Sequence, residues 1–291
     1  MQTTAVRDGG LVANFHRPSA SGARAGIIVL GGAGGGLGSA NAVGSVLVEL
    51  GYAALALAYF GTENLPSRLE EIPLEYFKQA IDWMQSQPSV DPSKIGFLGT
   101  SKGGEGALLA SATYREVHAV VAYSPSHVAF QGANAAWSKP KKSKSSWTLD
   151  GKSVPFVPFR VEGHKVDRYG FYLGLYLGSL QDRQAVERAA IPIERINGPI
   201  LLISGTDDAI WPSSAMCEEA VERLRRYHFT FPFRHLKYEG AGHLLAGPRR
   251  LQAARLRGPQ KVRLGGTECA NAVAGNKAWK EVLDFLETNL S

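Results

Sequence analysis

Short runs of apolar, often β-branched residues alternate along this chain with segments whose apolar residues recur at helical spacing. Residues 26–30 are such a run, which ends in the glycine-rich loop GGAGGGLG and is typical of a buried parallel strand. Residues 40–50 then carry apolar side chains three or four positions apart, and Gly51 is a typical C-terminal cap. The alternation continues with predicted strands at 52–60, 94–99, 117–125, 199–208 and 233–243 and with predicted helices at 73–87, 103–114, 213–226 and 276–290.

This order of elements predicts an α/β fold, because strands that alternate with helices form a mostly parallel sheet that is covered on both faces. The irregular part of the chain is residues 126–190. It contains a run of lysines and serines at 137–147, which predicts a solvated loop. Its apolar, aromatic stretch at 169–180 is typical of a lid, a pocket wall or plain core. We therefore predict a single domain over residues 1–291, with 126–190 as a lid or insertion.

Composition adds the limits of an ordinary globular protein. Of the 291 residues, 44% are hydrophobic and 20% are charged, and a core of this size needs neither disulfides nor a structural metal. Cys217 and Cys269 lie far apart without the spacing of metal ligands, which predicts two free thiols, with a single disulfide as the alternative, and no metal site. No apolar run is long enough to span a bilayer, and the N-terminal sequence MQTTAVRDGG lacks the pattern of a signal peptide. We expect a cytoplasmic protein, although a signal peptide that had been removed would leave no trace.

The chain carries a net charge of +6 and has a pI of about 9.3. A basic surface favours acidic partners such as nucleic acid, an anionic membrane or a phosphorylated small molecule, and the same charge also serves solubility alone. No signature of a nucleic-acid-binding fold is present. The partner that we expect is therefore a small-molecule substrate.

The sequence GTSKG at 99–103 has the form Gly-x-Ser-x-Gly, which by itself is weak evidence in a chain with 33 glycines. Its surroundings are more specific, because Ile95, Phe97 and Leu98 form a strand before it and the segment after it is helical. A strand, a sharp turn and a helix are the setting of a nucleophile elbow, in which small neighbours make room for a strained serine. Ser101 is the predicted nucleophile, and a serine in a plain glycine-rich turn is the alternative.

A serine nucleophile needs a base that an acid holds in place, and in this type of fold the acid precedes the histidine in the chain. Asp207 and Asp208 follow a buried strand and Gly205. Asp208 stands at the usual place for the acid, Asp207 is its close rival, and a helix cap or an Asx turn is the structural alternative. His243 follows a strand and a Gly-Ala-Gly turn, as the base should, whereas His235 lies within a strand pattern and is expected to be structural.

Two backbone groups are predicted to stabilise the oxyanion. The N–H of Lys102, at the start of a helix, is one donor, and Gly31 and Gly32 in the loop after the first core strand are candidates for the other. The same loop does not match a dinucleotide-binding fingerprint, because Leu37 stands where the last glycine is required after Gly32 and Gly34. No acidic residue closes the next strand either, so we expect no nucleotide cofactor.

With these motifs the chain resembles the C-terminal catalytic domain of the acyl-CoA thioesterases and the bile acid-CoA:amino acid N-acyltransferase, within the dienelactone-hydrolase branch of the α/β-hydrolases. The likeness spans nearly the whole chain and rests on the stretches GGGLG, ALAYF, PLEYFKQAIDWM, IGFLGTSKGGEGALLAS, IPIERINGPILLISGTDDAIW, YEGAGH and AWKEVLDFLETNL. It implies an α/β-hydrolase fold. It also implies that Ser101 is the nucleophile, that the aspartate pair before Trp211 carries the acid, and that His243 is the base.

The chain departs from the family at two points. Animal members carry an immunoglobulin-like β-sandwich before the hydrolase domain, whereas about two dozen residues precede the first core strand here, so we expect that domain to be absent and acyl-CoA specificity to be open. The segment Lys139–Lys144 is not a piece of the family pattern; it is interpreted as a solvated loop, with contact to the phosphates of coenzyme A as the alternative. The serine at position 101 implies hydrolysis, because the amidating members of the family use cysteine there.

The sequence thus predicts a serine hydrolase that cleaves an acyl thioester, acyl-CoA in particular, through a Ser–His–Asp triad and an acyl-enzyme. A carboxylester or lactone hydrolase of the dienelactone-hydrolase type is the first alternative. A non-catalytic binding module that keeps the fold is the second. The acyl group, the leaving group and the oligomeric state are left open by the sequence.

Overall fold

The computed structural model describes residues 1–132, 143–160, 172–245, 247 and 263–290. The strands of its main sheet are, in chain order, β1 (Gln2–Val6), β2 (Val12–Arg17), β3 (Arg24–Leu30), β4 (Ala53–Ala58), β6 (Val90–Thr100), β7 (Ala119–Tyr123), β10 (Ile200–Gly205) and β11 (Phe233–Tyr238). A separate small sheet contains β5 (Ile72–Pro73), β8 (Trp147–Leu149) and β9 (Lys152–Ser153). The helices are α1 (Gly38–Glu49), α2 (Leu74–Gln85), α3 (Lys102–Thr113), α4 (Leu173–Ser179), α5 (Arg183–Ala189), α6 (Ser213–Arg226) and α7 (Glu268–Leu290).

The main sheet has the strand order β1-β2-β4-β3-β6-β7-β10-β11. From β4 to β11, neighbouring strands are parallel, whereas β2 runs antiparallel to both β1 and β4. The strands β4 and β7 are apolar because both faces of the sheet are covered there, and every residue of each is buried. The predicted mostly parallel sheet is therefore confirmed.

Helices cover both faces of this sheet, as the alternating pattern predicted. Along β4 the side chains alternate between the faces, so that Leu55 and Leu57 join one hydrophobic cluster and Ala54 and Ala56 join another. The first cluster contains the apolar sides of α2, α3 and α6, and the second contains those of α1 and α7. Because β6, β7, β10 and β11 are parallel neighbours, their carboxyl ends meet at one edge of the sheet, where the predicted functional residues follow them.

The hydrophobic pattern missed the N-terminal hairpin. β1 and β2 extend the sheet at its antiparallel edge, and β1 exposes its first four residues, so it lacks the apolar alternation by which a half-buried strand is predicted. The closing helix is longer than predicted, because its start also lacks the apolar period on which the prediction rests. α7 begins at Glu268 rather than at residue 276, and its first two turns carry mostly small and polar residues, ECANAVAG.

The structure describes part of the predicted insertion at 126–190. Residues 133–142 and 161–171 of this segment lie outside the described residues. Within the described part, β8 and β9 pair with each other, and α4 places Tyr176 in a small hydrophobic cluster that also contains Trp211. Tyr176 of the aromatic stretch thus packs on Trp211, whose main-chain N–H donates to the predicted acid, Asp208. The single domain over residues 1–291 stays a prediction, and so does the role of residues 126–190 as a lid or insertion.

The lysine-rich segment Lys139–Lys144 lies largely outside the described residues, which resume at residue 143. Lys144 forms an ion pair with Glu71, and the hydrogen bond that it donates to the Glu71 carboxylate raises the pKa of Lys144. This lysine therefore has a carboxylate partner within the protein. Contact between the segment and a phosphate group stays an alternative.

The described residues also bear on the general predictions. Both cysteines are free thiols, with Cys217 buried and Cys269 exposed. Among the residues that the structure describes, no group of three or more histidine, cysteine, aspartate or glutamate side chains is placed to hold a metal ion. No helix within the described ranges is both long enough and apolar enough to cross a membrane.

Candidate active site

Ser101 lies in the turn between β6 and α3, with φ of 58° and ψ of −122°. A non-glycine residue with positive φ is strained, and such strain is typical of a nucleophile elbow. A Cβ on Gly99 would lie 2.2 Å from the carbonyl oxygen of Gly103, and a Cβ on Gly103 would lie 2.2 Å from that of Gly31. The turn therefore requires glycine on both sides of the serine, which is the physical reason for the Gly-x-Ser-x-Gly pattern.

The side chains of Ser101, His243 and Asp208 form one hydrogen-bonded chain. His243 Nε2 is 2.8 Å from Ser101 Oγ, and His243 Nδ1 is 2.8 Å from Asp208 Oδ2. All three residues are buried, with exposed fractions of 8% for Ser101, 4% for His243 and 6% for Asp208. Burial strengthens these hydrogen bonds because little water competes for them. The structure thus brings together the three residues that the sequence predicted as nucleophile, base and acid.

The two neighbouring aspartates have different surroundings. Asp208 Oδ1 accepts two main-chain N–H groups, at 2.9 and 3.3 Å, which orient the carboxylate and leave Oδ2 for His243. Asp207 is exposed, and its Oδ2 accepts the main-chain N–H of Gly266 at 2.8 Å. Asp208 is therefore the aspartate that contacts the histidine, whereas Asp207 holds a loop.

His243 lies in the loop after β11, in the strand-then-glycine setting that singled it out in the sequence. Its main-chain N–H donates to the carbonyl oxygen of Leu264 at 2.7 Å, and its own carbonyl oxygen accepts the hydroxyl of Ser124 at 2.8 Å. A Cβ on Gly242 would lie 2.1 Å from the carbonyl oxygen of Gly265, so the close approach of these two loops requires glycine. The main chain of the histidine is thus held from both sides.

The backbone groups predicted to bind the oxyanion lie around Ser101. Lys102 is the first residue of α3, so its main-chain N–H has no acceptor one turn earlier in the helix. A Cβ on Gly32 would lie 3.2 Å from Ser101 Cβ and 3.7 Å from Ser101 Oγ. Gly31 precedes it, and its carbonyl oxygen accepts the hydroxyl of Tyr59 at 2.7 Å. Of the two predicted glycines, Gly32 is the one whose Cα faces the nucleophile.

The side chain of Lys102 forms a buried ion pair that sequence reasoning missed. Its Nζ is 2.5 Å from Glu105 Oε1, which also accepts the indole N–H of Trp147 at 2.7 Å and the main-chain N–H of Phe130 at 3.2 Å. Burial lowers the pKa of Lys102 and raises the pKa of Glu105, and the charge of each opposes the shift of the other. The spacing of three residues along α3 was the available signal for this pair.

Aromatic rings pack beside the histidine. The Trp211 indole meets the His243 ring edge-on, with ring centres 5.8 Å apart. Tyr176 of α4 and Phe130 lie on Trp211 in turn, at 5.2 and 6.0 Å between ring centres. This aromatic wall gives the Ser101–His243 pair an apolar border on one side.

Comparison with protein families identifies the group to which this arrangement belongs. The family model described as BAAT / Acyl-CoA thioester hydrolase C terminal matches residues 72–291. The chain belongs to this family. The matched residues include Ser101, Asp208 and His243, so the whole hydrogen-bonded chain lies within the family region. The resemblance stated from the sequence motifs is confirmed.

The curated relatives of this family member include two kinds of enzyme. Acyl-coenzyme A amino acid N-acyltransferase 1 of Mus musculus is 31% identical over 98% of this chain and 64% of the relative's length. Acyl-coenzyme A thioesterase 2, mitochondrial, of Mus musculus is also 31% identical, over 98% of this chain and 60% of the relative. The chain therefore spans less than two thirds of the length of these relatives. Equal identity to both does not separate acyl transfer from hydrolysis, and the mitochondrial relative leaves a cytoplasmic location a prediction.

Solved structures confirm the α/β-hydrolase fold. A dienelactone hydrolase-like promiscuous phosphotriesterase from metagenomic libraries superposes with a TM-score of 0.60 and 17% identity, over 100% of this chain and 98% of its own. Dienelactone hydrolase from Anabaena variabilis gives a TM-score of 0.51 and 21% identity, over 88% of this chain and 94% of its own. At this level of identity the likeness concerns the fold alone.

Proposed function

We propose that this chain hydrolyses acyl thioesters of the acyl-CoA class, with Ser101 as nucleophile, His243 as base and Asp208 as the orienting acid. The observation that carries the proposal is the hydrogen-bonded chain through these three side chains, at 2.8 Å in each of its two links. Membership of a family described by acyl-CoA thioester hydrolysis supports the substrate class. The strained turn at Ser101 supports its role, because strain of this kind is characteristic of functional sites.

In the acylation step, Ser101 Oγ attacks the thioester carbonyl carbon and its proton passes to His243 Nε2. Asp208 Oδ2 accepts the N–H at His243 Nδ1, and its negative charge stabilises the imidazolium that forms. The carbonyl oxygen becomes an oxyanion, for which the main-chain N–H of Lys102 and the Gly31–Gly32 loop are the proposed donors. The carbon–sulfur bond then breaks, and the thiol leaves with the proton from His243 Nε2.

Deacylation repeats these steps, with water in place of Ser101 as the nucleophile. His243 Nε2 takes a proton from a water molecule as that water attacks the ester carbonyl on Ser101. The bond between the carbonyl carbon and Ser101 Oγ breaks, Oγ regains the proton from His243, and a carboxylic acid is released. The resemblance supports water as the acceptor, because the family members that transfer the acyl group to an amino acid use cysteine where this chain has Ser101.

Two features of the chain suit an acyl-CoA substrate. The aromatic wall of Trp211, Tyr176 and Phe130 beside His243 offers apolar surface to an acyl group. The net charge of +6 favours an anionic leaving group such as a nucleotide-bearing thiol. Oxygen esters and lactones use the same catalytic groups, and their cleavage is the outcome against which the proposal is tested.

The test measures kcat/KM for three substrates that share one acyl group: the acyl-CoA, the N-acetylcysteamine thioester and the p-nitrophenyl ester. We expect the acyl-CoA to be cleaved best, because the N-acetylcysteamine thioester lacks the nucleotide and the p-nitrophenyl ester lacks the sulfur. A preference for the p-nitrophenyl ester would contradict the thioester proposal and favour a carboxylester hydrolase. Equal values for both thioesters would contradict recognition of coenzyme A.

A further inference from the structure

Ser124 lies at the carboxyl end of β7, between the elements that carry the nucleophile, the acid and the base. It is fully buried, at 0% exposed. Its main-chain N–H donates to the carbonyl oxygen of Ile203 in β10 at 2.6 Å, and its carbonyl oxygen accepts the indole N–H of Trp211 at 3.0 Å. Its hydroxyl donates to the carbonyl oxygen of His243 at 2.8 Å. Ser124 thus contacts the strand that precedes the acid, the Trp211 side chain and the main chain of the base, His243.

The backbone of Ser124 is strained, with φ of 43°. Among the described residues, the non-glycine positions with positive φ also include Asn64, Glu71, Asp150 and His228, which are exposed or half-buried, and Ser101, which is buried. Glycine adopts this conformation without strain, so the strain at a serine here points to a role for its side chain. At both buried positions the serine hydroxyl bonds to His243: to the ring from Ser101 and to the main chain from Ser124.

The bonds around Ser124 form a closed circuit through the site. The residue before it, Tyr123, accepts the main-chain N–H of Ser101 at 2.8 Å. Trp211 donates its indole N–H to Ser124, packs its ring edge-on against His243, and donates its main-chain N–H to Asp208 Oδ1 at 3.3 Å. Ser101 and His243 are therefore linked through main-chain groups to Tyr123 and Ser124, and the Asp208 carboxylate is linked to Ser124 through Trp211. A shift of this residue would move the base relative to both of its partners.

We propose that Ser124 is a positioning residue, whose hydroxyl holds the main chain of His243 so that the imidazole lies between Ser101 and Asp208. The inference rests on the proposed hydrolase function, since positioning has meaning only if His243 is the base. Ser124 does not act on the substrate itself, because it is fully buried and its hydroxyl is bonded to the His243 main chain. Its loss should therefore lower kcat and leave substrate binding nearly unchanged.

The test compares Ser124→Gly with Ser124→Ala. Both variants lack the hydroxyl, but glycine relieves the strained backbone whereas alanine keeps it, so Ser124→Gly should be the more stable of the two. We expect kcat to fall by about 10- to 100-fold in both, with KM changed by less than about threefold. The rate at which a fluorophosphonate probe labels Ser101 should fall in parallel with kcat, because that reaction uses the same base.

Ser111→Ala is the matched control. Ser111 is a buried serine in α3 whose hydroxyl has no hydrogen-bond partner within the part of the chain that the structure describes. Removal of this hydroxyl should leave kcat, KM and the labelling rate at wild-type values. A fall in kcat equal to that of the Ser124 variants would mean that loss of any buried hydroxyl impairs the enzyme, and would overturn the inference.

Two other results would overturn the inference, and they are distinguishable. If Ser124→Gly keeps wild-type kcat and labelling rate while Ser124→Ala loses both together with its thermal stability, the residue has a structural role alone. If the wild-type protein shows neither turnover of any acyl ester or thioester nor labelling at Ser101, the proposed function fails, and the positioning role fails with it. Loss of kcat in both variants, with folded protein and unchanged KM, supports the inference.

Discussion

Ser101 Oγ and Ser204 Oγ each lie 2.8 Å from the Nε2 atom of a histidine, His243 in the first case and His235 in the second. Ser204 lies within β10, between β7 and β11 in the sheet, and is fully buried. Its hydroxyl is shared with Ser214, whose Oγ is 2.9 Å away. Both serines therefore satisfy the distance expected between a nucleophile and its base.

The two pairs differ in the partner of the histidine and in the backbone at the serine. The Ser101 pair has Asp208 hydrogen-bonded to the far side of the histidine, a strained turn and a helix start beside the serine. For His235, among the described residues, no carboxylate is hydrogen-bonded to the ring, and Ser204 has ordinary strand geometry. A serine–histidine hydrogen bond of this length is therefore not specific to catalysis, because it also satisfies buried polar groups. The acid and the backbone donors distinguish a proposed catalytic pair from a structural one.

The largest expected effect is the contrast between Ser101→Ala and Ser204→Ala. We expect Ser101→Ala to lower kcat for acyl-CoA hydrolysis by about 10⁵-fold or more, because it removes the attacking atom. Ser204→Ala should keep kcat within about threefold and lower the free energy of unfolding by about 1–3 kcal/mol, since it leaves buried partners without a hydrogen bond. Thiol release and urea unfolding measure the two effects. Equal losses of kcat in both variants would contradict the distinction between the pairs.

The neighbouring aspartates sharpen the role of the acid. Asp208→Asn should lower kcat by about 10⁴-fold, because the amide no longer stabilises the imidazolium or holds the required tautomer. Asp207→Asn is the matched control and should change kcat by less than about threefold, since Asp207 contacts only a loop N–H in the described site. A larger loss in Asp207→Asn than in Asp208→Asn would reverse the assignment of the acid.

The sequence was sufficient to predict the parts of the site where the backbone conformation requires glycine. The turn at Ser101 excludes side chains at 99 and 103, and the loop of His243 excludes one at 242, so glycine spacing marked both places. The order of strands and helices followed from hydrophobic period, because the central strands are buried on both faces. Asp208 could be separated from Asp207 only by geometry, since either carboxylate fits the spacing after β10.

What the sequence could not reveal depends on contacts between distant elements. Ser124 is one serine after an apolar strand, and its bond to His243 joins residues 119 positions apart. Glu105 accepts from Trp147, which lies 42 positions away beyond an irregular segment. The N-terminal hairpin was missed because β1 is mostly exposed and is held by pairing rather than by an apolar face. These features follow from tertiary packing, not from local pattern.

The buried Lys102–Glu105 ion pair is a further difference between the two serine–histidine pairs, because Lys102 follows Ser101 directly in the chain. Lys102→Met should lower the free energy of unfolding by about 3–5 kcal/mol, since it leaves Glu105 buried without its cation. The main-chain N–H of residue 102 is kept. The loss in kcat, expressed as a free energy, should therefore be smaller than the loss in the free energy of unfolding. Lys78→Met, which removes the solvent-accessible pairs with Asp82 and Glu116, is the control and should cost less than about 1 kcal/mol. Equal costs in urea unfolding would contradict a structural role for the buried pair.

The smallest expected effect concerns the histidine of the structural pair. Burial lowers the pKa of His235, and the charge of Glu218 opposes that shift, so the folded state favours the neutral ring. The unfolded chain binds the proton first, near pH 6.5, so this residue makes the protein less stable as the pH falls from about 7 to 5. His235→Gln should reduce that loss by less than about 1 kcal/mol per pH unit. The remaining slope includes His16, His118 and His127, whose pKa values burial also lowers.

Urea unfolding at pH 7 and pH 5 measures this effect. His228→Gln is the control, because His228 is exposed and its replacement removes a histidine without removing a buried ring. A wild-type slope in His235→Gln would show that the ring of His235 is not held neutral by the fold. A large loss of kcat in His235→Gln with stability intact would instead place this pair in the reaction, and would contradict the comparison.

The most direct test of the central claim is to identify the residue that carries the acyl group during turnover. Wild-type protein is mixed with an acyl-CoA, quenched in acid within the first turnover, digested with trypsin and examined by mass spectrometry with fragmentation. The acyl mass should appear on the tryptic peptide 95–102, localised to Ser101, and should be absent from Ser101→Ala. Hydrolysis of acyl-CoA with no acyl group on Ser101, or with the group on Ser204, would contradict the account.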